Sequence, residues 1–353
     1  MSAEPRISIA MGTYNGARYI REQLDSLAAQ TLLPCELVVT DDGSADATLE
    51  IVRDFAQEAP FPVRIHRNEK RLGYSDNFLF AASLCEGELI AFCDQDDVWL
   101  QRKLAICVDE FKNEEVMLCF CDAYVTDKRL GKKGYKIHKI KKRKIYKSLN
   151  FPPFKAVYGF TIIFRSILLT KLNITSRCYE YLSDRENPKF ISHDNWLVFL
   201  AGCFGQIAMV PEPLALYRQH DNNSGGAPIP KNVIRKIIYS ASQGEAGYQF
   251  LALIAQQRAL LLKEGVERIQ NELYRRSQRA AFYYEWLSHS LTRRATICSD
   301  YSDFYHRITA LSTNIRYNTY FTRSFYPLGL RAALKDVLCT IIPRRFLAWG
   351  RNL

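Results

Sequence analysis

The sequence predicts an α/β fold with a mixed, mainly parallel central sheet, followed by a C-terminal helical region. Over the first 125 residues, short apolar runs typical of strands alternate with segments whose apolar residues repeat at helical spacing. Strands separated by helices of this length are typical of parallel βαβ units. Acidic clusters at 41–42 and 94–97 directly follow apolar runs, which is where such sheets bind ligands.

The predicted elements follow in order along the chain. The predicted strands are Ile7–Met11, Glu36–Thr40, Val63–His66, Glu88–Cys93, Val116–Cys121, Phe160–Phe164 and Leu214–Tyr217. The predicted helices are one around Ile20–Ala28, one through Leu49, Val52 and Phe55, then Tyr74–Leu84, Trp99–Phe111 and Asp194–Leu200. Residues 128–150 are predicted as a basic loop that interrupts this alternation.

Two domains are predicted, with residues 1–224 forming the α/β domain and residues 225–353 the helical one. Glycine and proline at 225–230 predict a linker, and the later segments Gln249–Lys263 and Leu328–Ile342 have apolar faces opposite Arg and Lys. The helical region is predicted as an ordinary packed domain, as an oligomerisation region, or as a surface that meets an anionic membrane through Phe325–Trp349.

The charge of the chain is divided unevenly. The 353 residues have a net charge of +11, yet residues 128–179 contain 15 Lys and Arg with no acid, and residues 225–353 also have an excess of basic residues. The rest of the chain is strongly acidic and contains the organised motifs, so a nucleic-acid binder is excluded. The basic stretches indicate an anionic surface or partner beside a separate acidic site.

Cysteine spacing and hydropathy predict where the protein works. Ten cysteines show no paired spacing, which favours reduced thiols and a cytoplasmic protein. No run of about 18 apolar residues and no export signal is visible, so we expect at most a peripheral position at the inner face of the plasma membrane.

The sharpest chemical feature is Asp94-x-Asp96-Asp97, which follows an apolar run. Carboxylates this close repel one another, and a hard cation such as Mg²⁺ or Mn²⁺, with phosphate oxygens completing its shell, removes that repulsion. The alternative is a strand-end turn with solvated acids. Asp41-Asp42-Gly43-Ser44 is a second acidic strand end, which could accept hydrogen bonds from a base or ribose or form a turn that caps the next helix.

Two further positions are candidates for chemistry. Asp194 begins a predicted helix, where it could be a general base or an ordinary first-turn acid. His220 could complete a metal shell or be structural, and Arg218 could face a diphosphate. The chain has no G-x-G-x-x-G, no phosphate-binding P-loop and no C-x-x-C pair, which argues against a dinucleotide fold and a structural zinc site.

Taken together, these motifs resemble the family-2 glycosyltransferases, which have the GT-A fold. The resemblance covers residues 6–222. It rests on Ser8–Gly16, Tyr19–Ser26, Asp41–Ser44 with Asp46 and Thr48, Asn68 with Gly73, Asp94–Trp99, His193–Trp196 and Tyr217–His220. The first motif, the Asp-Gln-Asp-Asp form and the Tyr-Arg-Gln-His ending are similar to a rhamnosyltransferase-like branch of bacterial surface-polysaccharide enzymes.

The resemblance implies a role for each matching residue. Thr13, Tyr14 and Asn15 would line the nucleotide pocket, Asp41 and Asp42 would read base and ribose, Asp94 would contact ribose, Arg218 would bind the donor, Asp96 and His220 would ligate Mg²⁺ or Mn²⁺, Asp194 would be the catalytic base, and Gly159 and Trp196 would lie on the acceptor side. His193 stands where the family often has Glu, which leaves the role of that position open.

The implied function is an inverting, metal-dependent glycosyltransferase. It would move a sugar, with dTDP-rhamnose one candidate donor, to a hydroxyl of a lipid-linked or polysaccharide acceptor in the synthesis of bacterial surface glycans such as O-antigen. One alternative is a non-catalytic nucleotide-sugar-binding scaffold of a polysaccharide assembly complex. Another is an enzyme that makes nucleotide sugars, although the glycine-rich loop of such enzymes is missing here.

Overall fold

A computed structural model of the chain describes residues 5–173, 176–221, 223, 244–265, 272–299 and 301–341. The described strands are β1 (Ile7–Thr13), β2 (Glu36–Asp41), β3 (Val63–Arg67), β4 (Leu89–Cys93), β5 (Val98–Trp99), β6 (Val116–Thr126), β7 (Lys132–Lys136), β8 (Lys144–Tyr146), β9 (Ile162–Arg165) and β10 (Gln206–Arg218). The described helices are α1 (Ile20–Ala28), α2 (Thr48–Glu58), α3 (Tyr74–Leu84), α4 (Lys103–Asp109), α5 (His193–Phe204), α6 (Gly244–Glu264), α7 (Glu272–Ile297), α8 (Phe304–Arg316) and α9 (Gly329–Ile341).

The strands form one mixed sheet in the order β3-β2-β1-β4-β9-β6-β10-β5, with β7 added to β6 and β8 to β10. The neighbours β3, β2, β1 and β4 are parallel, and so are β6 and β10, whereas β9 runs antiparallel between β4 and β6. The predicted mixed, mainly parallel α/β sheet is therefore confirmed. Because β1, β2 and β4 are parallel, their carboxyl ends lie along one edge and bring the loops after them together.

Burial explains why the sequence forms this sheet. All of β2 and β4 is buried, as expected for strands that are covered on both faces. On α1, Ile20, Leu24 and Leu27 are fully buried, which is the face that the helical spacing predicts. These side chains join the apolar core under the sheet.

The chain divides into two compact units. The first contains residues 1–148, 155–171 and 192–228, and the second contains 149–154, 172–191 and 229–353. Two segments that precede the predicted boundary at 224/225 thus belong to the second unit. The linker predicted at 225–230 and the end of the predicted membrane segment, residues 342–349, lie outside the described residues.

The second unit is helical in the described residues, as predicted for the C-terminal region. Its helix α7 is joined to α9 by a buried ion pair in which Arg294 donates to both carboxylate oxygens of Asp336. The Tyr320 hydroxyl donates to the same carboxylate at 2.7 Å. No helix in the described ranges is long and apolar enough to cross a membrane.

Three predicted elements differ from the structure. The predicted loop 128–150 contains β7 and β8. These short strands pair with β6 and β10, and the local sequence gives no signal of that pairing. The helix predicted from Trp99 begins at Lys103, since Val98 and Trp99 pair with β10. Strand β10 is longer than predicted and includes two prolines, which its register shifts accommodate.

Candidate active site

The acidic turn after β4 is the centre of the candidate site. Asp94, Asp96 and Asp97 each offer a carboxylate oxygen, and these oxygens lie within 4.8 Å of one another. Burial and the charges of Asp96 and Asp194 raise the pKa of Asp94 to about 8. Burial, together with Asp96 and Asp94, also raises the pKa of Asp97 well above its usual range. The carboxylates are thus close enough to repel one another when charged, and an added cation would relieve this repulsion.

His220 lies directly beside this turn. Its Nε2 is 2.7 Å from Oδ2 of Asp96, and its ring stacks on Tyr19 with centroids 4.8 Å apart. Both His220 and Asp96 keep a small exposed fraction of their side chains. A ring nitrogen and a carboxylate from positions more than 120 residues apart in sequence are therefore in contact, and their role as metal ligands stays a prediction.

Arg218 is buried beside the acidic turn and forms hydrogen bonds with it. Its guanidinium is 2% exposed and donates to the Asp96 carbonyl at 2.7 Å, the Lys128 carbonyl at 3.0 Å and the Glu22 carboxylate at 2.8 Å. Its backbone N–H also donates to Asp97 Oδ1 at 2.9 Å. Three protein acceptors thus occupy its guanidinium, which gives Arg218 a positioning role, and a contact with the donor stays a prediction.

A buried lysine lies under the same turn. Lys103 is fully buried, its ammonium donates to the Phe160 carbonyl at 2.5 Å, and it lies 3.4 Å from the centroid of the Trp99 ring. Its positive charge lowers the pKa values of Asp94 and Asp97, in opposition to the burial that raises them. Lys103 thus offsets part of the negative charge of the turn.

Asp194 lies at the first turn of α5. Its Oδ1 accepts from the Ser192 hydroxyl at 2.5 Å and from the Asn195 N–H at 2.7 Å. Among the described residues these bonds reach Oδ1 only, so Oδ2 remains an acceptor. The charge of Asp194 raises the pKa of Asp94 and, after burial, that of Tyr158, which places Asp194 close to the acidic turn.

Gly159 fits tightly against the start of α5. A Cβ atom at this position would lie 2.7 Å from His193 Nε2 and 3.6 Å from the Asp194 Cβ. The His193 ring is buried and stacks on Phe78 with centroids 4.4 Å apart. His193 therefore supports Asp194 from the apolar side, and only a residue without a side chain fits opposite it.

The loop after β1 is tied to the acidic turn by Gln95. Its amide accepts from the Tyr14 N–H and donates to the Tyr14 carbonyl, each at 3.0 Å. A Cβ on Gly16 would lie 2.2 Å from the Gln95 side chain, so Gly16 permits this contact. The Tyr14 ring is exposed and lies 4.1 Å from the Arg71 guanidinium, at the edge where a base could stack.

Two residues predicted to contact the nucleotide, Thr13 and Asp41, form hydrogen bonds at the ends of β1 and β2 and with the loop after β2. Asp41 is fully buried and accepts four hydrogen bonds, from Thr13 Oγ1, Ser44 Oγ and the N–H groups of Gly43 and Ser44. A carboxylate has about four lone-pair positions, so none remains for a base or ribose. Thr13 is likewise buried and donates to Asp41, so a nucleotide contact by either side chain stays a prediction that these bonds do not support.

Asp42 keeps capacity for a ligand. Its oxygens accept from the N–H groups of Leu72 and Gly73 and from the Asn68 amide, which leaves about one lone pair. Asn15 connects the neighbouring loops, since its side chain accepts from the Ala45 N–H at 2.9 Å. The predicted nucleotide pocket thus keeps Tyr14 and Asp42 as side chains that can meet a ligand.

Trp196 is not on an accessible acceptor side. It is 1% exposed and packs against Phe199 with ring centroids 5.4 Å apart. Its side chain is buried because α5 is buried on nearly all sides. The sequence of α5 is apolar on all sides too, so it does not indicate which residues face a ligand. The acceptor-side role predicted for Trp196 therefore has no support from its burial and stays a prediction.

Sequence reasoning missed four supporting residues. They are Gln95, Lys103, Glu22 and Ser192. Gln95 lies inside the acidic motif and could have been found there, and Ser192 directly precedes the predicted helix. Lys103 and Glu22 give no local signal, because their partners become neighbours only in the folded chain.

The sheet order and the acidic turn after β4 have the arrangement of a GT-A-type fold. Residues 8–170 match the family described as glycosyl transferase family 2. The matched region contains β4 and the acidic turn that follows it. The chain has an α/β fold of the GT-A type, followed by a C-terminal helical region.

The chain is also similar to curated relatives and to solved structures, and it spans less than two thirds of the length of these relatives. The chain is 30% identical over 225 residues, 61% of its length, to the uncharacterized protein Rv1520 of Mycobacterium tuberculosis, and it spans 59% of that relative's length. It is 31% identical to Escherichia coli chondroitin synthase over 37% of this chain and 18% of that protein. The crystal structure of S. aureus TarS 1–349 superposes with a TM-score of 0.53 at 16% identity, over 99% of this chain and 92% of that one, which shows a shared fold.

Proposed function

We propose that the protein is an inverting glycosyltransferase that uses a divalent cation, a nucleoside-diphosphate sugar and a hydroxyl acceptor. The observation that carries this proposal is the 2.7 Å contact between His220 and Asp96, on a turn that also lies close to Asp194. A cation site and a candidate base thus adjoin each other, which a transferase needs and a simple binding turn does not.

The ligand set at the acidic turn fits a divalent cation. Oδ2 of Asp97 is buried and has no hydrogen-bond partner among the described residues, although its other oxygen is satisfied by Arg218. Asp96 and His220 would hold the ion, and Asp94 and Asp97 would support it or contact the ribose. A bound Mg²⁺ or Mn²⁺ would stabilise the negative charge that builds on the departing diphosphate.

Asp194 is the proposed catalytic base. Its Oδ1 is held by Ser192 and Asn195, so Oδ2 would accept the proton of the acceptor hydroxyl. The freed oxygen would form its bond to the anomeric carbon while the bond from that carbon to the phosphate oxygen breaks. Attack opposite the departing group inverts the anomeric centre.

The donor is proposed from the fold and the motifs. TarS, which shares the fold, has been crystallised with UDP and with UDP-GlcNAc, which supports a nucleoside-diphosphate sugar here. dTDP-rhamnose remains a candidate donor on the strength of the motif resemblance. A glycan or lipid-linked acceptor in surface-polysaccharide synthesis fits both the resemblance and the similarity to chondroitin synthase.

We also propose that the reaction takes place in the cytoplasm, at the inner face of the membrane. All ten cysteines are unpaired, which supports a reducing compartment. The exposed apolar side chains Leu330, Leu334 and Leu338 on α9 support the membrane-surface proposal for the helical region. Self-association of that region is the competing proposal, and liposome flotation with sedimentation analysis would separate the two.

A nucleotide-sugar screen tests the function. The full chain is incubated with dTDP-rhamnose, UDP-GlcNAc and related donors, with Mg²⁺, with Mn²⁺ or with chelator, and the released nucleotide is identified. We expect nucleoside diphosphate to be released only with the cation, to be lost in Asp96→Asn and kept in the matched surface variant Asp54→Asn. Binding without turnover of any donor would favour the scaffold alternative, and release of pyrophosphate would favour an enzyme that makes nucleotide sugars.

A further inference from the structure

The segment from Lys128 to Lys147, here called the basic arm, is the most strongly charged surface of the first unit. It contains eleven Lys and Arg and no acid. Ten of the eleven are exposed, and only Lys136 is half-buried. Within the described residues, Arg143 is the arm's one cation seen in an ion pair, with Glu110 and Glu212. The backbone N–H groups of Arg129 and Gly131, with the charges of Lys133 and Arg129, lower the pKa of Asp127, so these two cations also lie near an acid.

The arm is an ordered part of the sheet. Strand β7 pairs with β6 and strand β8 pairs with β10. Between the strands, the N–H groups of His138 and Ile140 donate to the buried carboxylate of Asp122 at 3.0 Å and 2.8 Å. Its charges are therefore held at defined positions on a folded frame.

The start and the middle of the arm adjoin the candidate active site. At its start, the Lys128 carbonyl accepts from Arg218, which also holds the Asp96 carbonyl. In its middle, the His138 ring lies 5.6 Å from the ring of Tyr158, the residue before Gly159. The charge of Asp194 raises the pKa of Tyr158, so this part of the arm faces the proposed acceptor side.

Like charges are also crowded beneath the arm. The pKa of Lys155 is lowered by burial and by Lys144, although Asp122 acts in the opposite direction. Burial and the charge of Lys155 lower the pKa of His138 as well. A surface that keeps cations this close, beside an acidic catalytic turn, is suited to attract anions to one side of the site.

We propose that the basic arm binds the acceptor and that this acceptor is a polyanionic chain, one with repeated phosphate or carboxylate groups. The inference rests on the proposed function, since it assigns the arm to the acceptor side. A single anionic group would engage two or three ammonium groups, whereas eleven cations distributed over the whole arm, on its two strands and on the residues between and beside them, match a charge that repeats along a polymer. The polymer would be drawn towards Asp194 while the donor diphosphate stays with the cation turn.

Binding to defined polymers tests this proposal without any turnover. The full chain is titrated with fluorescent polyphosphate and polygalacturonate, with neutral dextran as a control, at 50 and 200 mM salt. The arm variant is Lys133→Gln, Lys141→Gln and Lys142→Gln, three exposed residues whose substitution leaves the hydrogen bonds of the frame intact. The matched control is Arg53→Gln, Arg102→Gln and Lys112→Gln, which removes the same charge from exposed positions outside the arm.

We expect the wild type and the control to bind at least one anionic polymer but not dextran. Raising the salt from 50 to 200 mM should weaken polymer binding less in the arm variant, because fewer cations contact the polymer. For three lost contacts, the fold-decrease in affinity over this range should be roughly 20 times smaller than in the wild type. Equal affinity in the wild type and the arm variant, or an equal loss in the control, would overturn the proposal. Arm-dependent binding to phosphatidylglycerol vesicles without binding to either polymer would also overturn it and assign the arm to the membrane.

The same preparations separate this inference from the proposed function. The variant Asp194→Asn should bind the anionic polymer like the wild type, because the arm is unchanged. Polymer binding that depends on the arm supports the inference even if no nucleotide sugar is turned over, and turnover without polymer binding contradicts it while leaving the glycosyltransferase proposal in place.

Discussion

Replacing Gly159 with alanine tests how the acceptor side is held. The added Cβ would lie 2.7 Å from His193 Nε2, so about 0.7 Å must open before an ordinary contact is reached. The His193 ring cannot yield easily, since it stacks on Phe78 and meets Phe92 edge-on at 4.8 Å. Overpacking of this kind costs about 1–3 kcal/mol, and the direct way to relieve it moves the start of α5, which includes Asp194.

The expected result of Gly159→Ala is a fall in kcat with a small change in the KM for the nucleotide sugar. Misplacement by about 1 Å can reduce turnover roughly 100-fold, and we expect a loss of ten- to 100-fold here. The matched control is Gly202→Ala on the same helix α5, where the nearest atom lies at 3.8 Å and the chain has room. Steady-state turnover of Gly159→Ala within about twofold of the wild type, or an equal loss in Gly202→Ala, would refute this reasoning.

Three further predictions concern other parts of the molecule. Gln95→Ala removes both bonds to the Tyr14 backbone, about 1 kcal/mol each, which sets an upper limit of roughly 30-fold on the rise in the KM for the donor. Gln101→Ala should leave this KM unchanged. Burial and Lys155 lower the pKa of His138 from 6.5 to about 3, so the folded state should lose stability as the pH falls below 6.5. Urea titrations should show a loss of about 2 kcal/mol between pH 8 and pH 5 in the wild type and no such loss from this residue in His138→Gln. Equal losses in the two proteins would disprove this prediction. Asp336→Asn leaves Arg294 buried without its charge partner, so thermal unfolding should show a loss of about 3–5 kcal/mol in the free energy of unfolding. The control Glu285→Gln breaks the exposed ion pair with Lys263 and should cost less than about 1 kcal/mol. A small loss in both variants would contradict a buried pair.

The sequence predicts most of the sheet because burial leaves a local pattern. Helix α3 has the predicted bounds, Tyr74–Leu84, and the strands before the acidic clusters lie where their apolar runs indicate. The strands of the basic arm could not be predicted, because a lysine-rich segment has no apolar alternation and its order comes from edges supplied by β6 and β10.

The site is predictable as a set of motifs but not as a set of roles. Asp96 and His220 are in contact because β4 and β10 end at the same edge of the sheet, and Asp194 lies close enough to Asp94 to raise its pKa. Asp41 and Asp42 look identical in sequence, yet one is saturated by its own turn and the other keeps a lone pair. Arg218 and Trp196 were assigned to ligands because nothing local records how deeply they are buried.

The central claim is that Asp194 removes the acceptor proton beside a cation-dependent donor site. The most direct measurement is turnover of the nucleotide sugar by Asp194→Asn, compared with the wild type and with the surface variant Asp54→Asn, alongside the donor Kd in the presence of Mn²⁺. Because general base catalysis contributes about 10²–10⁴-fold, we predict at least a 100-fold loss of turnover with the donor Kd unchanged, and Asp54→Asn should behave as the wild type. Near-wild-type turnover by Asp194→Asn would contradict the account.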